Sequence, residues 1–124
     1  MKSFTLLSLG IWTALVLGGV GCRKEAAPDA TQPLQQSFQA AEPEMQRVIA
    51  QVNTQLKAGQ YVEATRTLAP VVSGRTLSEP QKQAIGVALQ QINRSIAANP
   101  KLDTKEMYEL RAKMFQTVHG SQRF

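Results

Sequence analysis

From Leu34 to Val118 the apolar residues of this chain return every third or fourth position, without the strict alternation of a half-buried strand. Such spacing lines them up on one face of a helix, so the chain is predicted to be all-α. Leu34, Phe38, Ala41, Met45, Val48, Val52 and then Gln55 or Leu56 form the first seam, with Ile49 beside it. Pro43 divides that seam. An interior proline costs a helix about 3 kcal/mol, whereas one in the first turn is welcome. The main helix is therefore predicted from Glu42 to Lys57, preceded by a separate helical piece at 34–40 and closed by Gly59 as a left-handed cap.

Three further helices are predicted on the same grounds. One starts at Gln60, carries Tyr61, Ala64, Leu68 and Val71 on one face, and bends or ends at Pro70. After the break at Ser73-Gly74-Arg75, Ser78 and Gln81 have the spacing of a capping box, and Ile85, Leu89, Ile92 and Ile96 follow up to Asn99-Pro100. The last helix has Asp103 as its expected cap, Glu106 three residues on, and Leu102 placed to staple Met107. Met107, Leu110, Met114 and Val118 make its stripe, and Gly120 ends it. The architecture expected is a small helical array or bundle of about four amphipathic helices over residues 42–120. A domain of that size is near the lower limit for a self-sufficient core, so leftover apolar surface favours a partner or self-association.

The amino terminus has a different character. Lys2 is followed by a run from Phe4 to Gly21 with no charged residue, and then by Cys22, the only cysteine. A basic start, an apolar stretch and small residues before a cut form a secretory signal pattern. Gly19-Val20-Gly21-Cys22 resembles the lipobox of bacterial lipoproteins, with Gly19 where leucine is usual and Arg23-Lys24 just after the cysteine. The resemblance implies a signal peptide over 1–21, cleavage between Gly21 and Cys22, and diacylglycerol on the Cys22 sulfur. Residues 22–41 would then hold a tether and the short helical piece at 34–40, the chain being polar and proline-containing from Arg23 to Gln32, a composition that predicts flexibility. Acyl chains at about 0.8 kcal/mol per buried CH₂ would hold such a protein on the bilayer. Arg23, standing where the inner-membrane retention rule wants aspartate, implies the outer membrane, facing the periplasm, if the host is Gram-negative. The same apolar run is long enough to span a bilayer, and Arg23-Lys24 favour the cytoplasmic side, so an uncleaved anchor with cytoplasmic helices stays open.

The junction Leu56-Lys57-Ala58-Gly59-Gln60-Tyr61-Val62-Glu63-Ala64 resembles the turn of a tetratricopeptide repeat, in which Gly, Tyr and Ala recur at this spacing. It implies a helical hairpin with Tyr61 packed back on the first helix and Ala64 allowing close approach. Gln51 and Gln55 occupy positions where that repeat has apolar residues, and no second copy follows. A single hairpin has no concave groove of the kind that repeat arrays build.

The sequence holds little chemistry. His119, the only histidine, falls in a last helical turn, where a cation suits the helix dipole. Without a second histidine or a thiol beside it, no metal site is expected. Glu106 and Glu109 lie among Lys105, Arg111 and Lys113, as on a solvated face, and no phosphate loop or serine triad is evident. The methionines Met45, Met107 and Met114 sit at core spacing. The formal charge is +5, with basic residues scattered rather than clustered, so no nucleic-acid partner is expected. No enzyme activity and no cofactor are expected.

These features predict a membrane-anchored, non-catalytic helical module that binds another envelope protein. The bilayer is its second partner, through acylated Cys22. Tyr61, Leu68, Leu89 and Ile92 are the candidate interaction surface, drawn from whatever the folded chain leaves uncovered. The alternative is a self-assembling structural lipoprotein whose Leu34–Leu56 and Ile85–Ile96 seams form coiled-coil homo-oligomers.

Overall fold

The computed structural model describes residues 27–120, and among them the chain is all-helical. The elements are α1 (Thr31–Ser37), α2 (Pro43–Lys57), α3 (Tyr61–Val72), α4 (Glu79–Ala98), a single 3-10 turn (Pro100–Leu102) and α5 (Lys105–His119). The apolar run, Gly21 and Cys22 lie outside the described residues.

Several helix ends have a local cause. Pro43 takes the first position of α2, where a missing N–H costs nothing. At the other end Gly59, at φ +74, lets the Gln60 amide donate to the Gln55 carbonyl at 2.8 Å and its own amide to Leu56 at 3.1 Å. That double bond pattern is a Schellman motif, and the positive φ explains the glycine. Pro70 does not end α3, which runs on to Val72. The expected capping box forms at α4, where Ser78 Oγ accepts from the Gln81 amide and Gln81 Oε1 from the Ser78 amide.

The cap of α5 moves by one residue from the expected Asp103. Thr104 has the extended backbone that a cap requires, and its Oγ1 accepts from the Met107 amide at 3.2 Å. The 3-10 turn leaves Asp103 at φ −82, ψ 72, outside that conformation, and its carboxylate accepts from Arg111 at 3.0 Å instead.

The helices close a circuit: α1 packs on α2, α2 on α3, α3 on α5, α5 on α4, and α4 back on α1. Leu34, Val52, Leu68, Ile85, Ile92, Met107 and Met114 fill the interior and are fully buried.

The short helical piece expected at 34–40 is α1, which starts three residues earlier, at Thr31. Ala30, Leu34 and Phe38 are core residues. A helix of seven residues cannot hold itself in water. What orders it is tertiary: the Ala30 amide donates to Gln91 Oε1 at 3.0 Å, Gln81 Nε2 donates to the Ser37 carbonyl at 3.3 Å, and Asn53 Nδ2 donates to the Thr31 carbonyl at 3.0 Å. These bonds lay α1 antiparallel along α4 and pin it to α2.

Candidate interaction surface

Three of the four residues expected on a docking surface are in the core. Leu68 is 1% exposed, Ile92 0% and Leu89 6%. Their stripes face the interior because α1, α3 and α5 together cover what two helices alone would have left open. Tyr61 stays half-buried, beside Leu56, Lys57 and Gln91 in a depression at the amino-terminal end of α1. Leu34, Val52, Leu56 and Ile85 are also buried, so the seams expected to drive coiled-coil assembly are occupied within the domain.

The uncovered apolar surface is elsewhere. Tyr108, 66% exposed, and Phe115, 56% exposed, are the large hydrophobic side chains left in solvent among the described residues. Seven residues apart on α5, they lie on one face, two turns from each other. That face is separate from the buried Met107 and Met114 stripe. The two aromatics form one wall of a groove of about 610 Å³ between α4 and α5, with Val118 and His119 on the same wall. Glu79, Lys82, Gly86, Leu89, Gln90 and Asn93 line the α4 side. The His119 ring lies 4.2 Å, centroid to centroid, from Phe115 and tilted by 42°, extending the aromatic wall rather than approaching a ligand set.

Gly86 is the exception on the α4 side. A glycine inside a helix costs about 1 kcal/mol relative to alanine. Yet a Cβ placed on Gly86 would meet nothing within 4 Å among the described residues. The helix is weakened at one point in exchange for a bare stretch of backbone at the groove.

Charged side chains of α4 and α5 are paired. Lys82 Nζ lies 3.3 Å from Glu79, Lys105 Nζ lies 4.0 Å from Glu109, and Arg111 donates to Asn93 Oδ1 at 2.8 Å as well as to Asp103. On the far side of α5, Arg66 grips Glu106 with two bonds of 2.6 and 2.9 Å, and the side-chain hydrogen bond holds the Glu106 carboxyl below its ordinary range. Glu106 and Glu109 thus each lie beside a cation, Arg66 and Lys105 respectively. Among the described residues no three His, Cys, Asp or Glu side chains gather as a metal site, and no helix is long and apolar enough to cross a membrane.

No family model, no curated protein and no solved structure matches the chain.

The sequence signal for the exposed pair was present but easily missed. Tyr108 and Phe115 are neighbours of Met107 and Met114 in the chain, and a single apolar stripe per helix absorbs all four unless the hundred-degree step between adjacent residues is followed round.

Proposed function

We propose that the chain is a membrane-anchored lipoprotein of the bacterial envelope, held by acylated Cys22. In this role it is a non-catalytic module that works by protein–protein contact through the α4–α5 groove. The observation that carries the reading is the groove itself, walled by Tyr108 and Phe115, because buried aromatic anchors dominate the energetics of protein contacts. Leu17-Gly18-Gly19-Val20-Gly21-Cys22 supports the anchor, and the outer membrane facing the periplasm is the proposed site if the host is Gram-negative. The tetratricopeptide likeness of the α2–α3 hairpin belongs to the same proposal, as a scaffold feature.

Two measurements on one sample test it. The intact mass of membrane-extracted protein should equal residues 22–124 plus lipid, and Cys22→Ser should abolish the lipid. A photo-cross-linker at Tyr108 should trap an extracytoplasmic protein, while one at Arg75, away from the groove, should not. A full-length mass with Trp12 retained would instead favour the uncleaved anchor, and an inert Tyr108 position would remove the groove from the account.

A further inference from the structure

A second hollow, of about 390 Å³, lies between α1 and α2, and none of its residues lines the α4–α5 groove. We propose that it binds an uncharged small molecule made of a hydrocarbon body and one O–H or N–H donor. This goes beyond the envelope role and does not rest on it.

The hollow follows from the way the two helices meet. Asn53 Nδ2 donates to the Thr31 carbonyl at the start of α1, and Gln46 Nε2 donates to the Gln39 and Ala41 carbonyls beyond its end, at 2.6 and 2.9 Å. The short helix is thus tied antiparallel to α2 at two points, and the hollow opens along the seam between them. Gln46, Ile49, Asn53 and Lys57, three or four residues apart, share the face of α2 that lines it. Phe38 and Ile49, both buried in the core, supply its apolar floor. Lys57 stands at the end away from Gln46, and no carboxylate lines the hollow among the described residues.

Asn53 sets the chemistry of the ligand. Its side chain is 8% exposed, and although Nδ2 is bonded to Thr31, Oδ1 is buried and accepts no hydrogen bond among the described residues. Turning the carboxamide over would not help, because the Thr31 carbonyl also needs a donor. A buried acceptor without a partner carries its full desolvation cost, which a donor brought by a ligand would relieve. Phe38 and Ile49 beside it suit hydrocarbon, and a few placed polar groups in an otherwise apolar hollow of this size are what small-molecule sites have in common. An anion would set like partial charge against Oδ1, and an ammonium would share the hollow with Lys57, so the ligand is neutral.

Solvent does not reach Oδ1, so the donor enters only when a rim side chain turns aside. Gln35 is exposed and lies one helical turn from Thr31, whose carbonyl Asn53 holds, and it is placed to move in this way.

Cyclohexanol and cyclohexanone test the assignment, since they share a ring while one donates a hydrogen bond and the other only accepts. Each is titrated into the purified, isotope-labelled chain, and nuclear magnetic resonance follows the Asn53 side-chain amide and the main-chain amides of Phe38 and Ile49. The alcohol should give saturable shifts at all three, and the ketone should bind about tenfold more weakly. Asn53→Ala should bring the two dissociation constants together. Should that variant loosen α1, a second one avoids the tie: Ala50→Trp, at an exposed position on the rim, should fill the hollow and abolish binding with unchanged helical circular dichroism. No saturable shift with the alcohol, a ketone that binds as tightly, shifts centred on Tyr108 and Phe115, or an Ala50→Trp chain that still binds would each overturn the site. None of these readouts depends on lipid or on a protein partner, so failure here leaves the anchor and the α4–α5 contact standing.

Discussion

Asn53 and Thr31 meet inside the domain, the side-chain amide of one donating to the main-chain carbonyl of the other at 3.0 Å. The bond joins a helix that the periodicity announces clearly to a segment whose composition resembles a linker. Asn53→Ala should lower stability by about 1 kcal/mol, the net worth of one hydrogen bond, and loosen α1 first. Urea unfolding followed by amide exchange at Leu34 checks both parts. Unchanged exchange there would mean that packing alone holds α1.

Asp29 makes the same segment sensitive to acid. Its Oδ1 accepts from Thr31 Oγ1 at 2.7 Å and from the Thr31 amide at 3.0 Å, and the side-chain bond chiefly holds its carboxyl below the ordinary value of 3.8. A carboxyl depressed on folding adds stability above its unfolded value and loses it as pH falls through the folded one. Exposure keeps the effect small. Protection of the α1 amides should therefore be flat from pH 7 to about 5 and decline below about 4, whereas Asp29→Asn should remove that decline. An identical acid profile in the variant would assign the sensitivity to other carboxylates.

Two glycines should respond to alanine with opposite signs. Gly59→Ala forces a side chain into a left-handed conformation and should destabilise the chain by about 1 kcal/mol. Gly86→Ala meets open space in a regular helix and should stabilise it by up to about 1 kcal/mol. Thermal melts of the pair settle it, and two shifts of the same sign would contradict the geometry.

Apolar residues should separate by face. Ile92→Ala removes a fully buried side chain and should cost about 2–5 kcal/mol. Phe115→Ser, more than half exposed, should leave the unfolding midpoint within about 0.5 kcal/mol of wild type. Leu89→Asp should unfold the domain, since its side chain lies against the core. A Phe115→Ser chain as unstable as Ile92→Ala would show that Phe115 packs into the domain.

Helix positions were legible because their signals are local: Pro43, Gly59, the Ser78–Gln81 box and Asn99-Pro100 each act within a turn. Position in the core was less so. Leu68, Leu89 and Ile92 looked available for docking because periodicity shows which residues share a face and is silent on which helix covers it. The earlier start of α1 has the same origin, since Ala30, Thr31 and Ser37 are held by Gln91, Asn53 and Gln81, far away in the chain. Asp103 and Thr104 are both good caps, and only the intervening 3-10 turn decided between them.

Because α1 closes the circuit, the first buried residue, Ala30, lies only eight peptide units beyond Cys22. Such a length reaches at most about 29 Å, comparable to the width of the domain itself. Under the proposed anchoring, the body would ride against the headgroups like a boat on a short mooring. Its orientation would be restricted, and a partner would have to come down to the membrane surface to meet it.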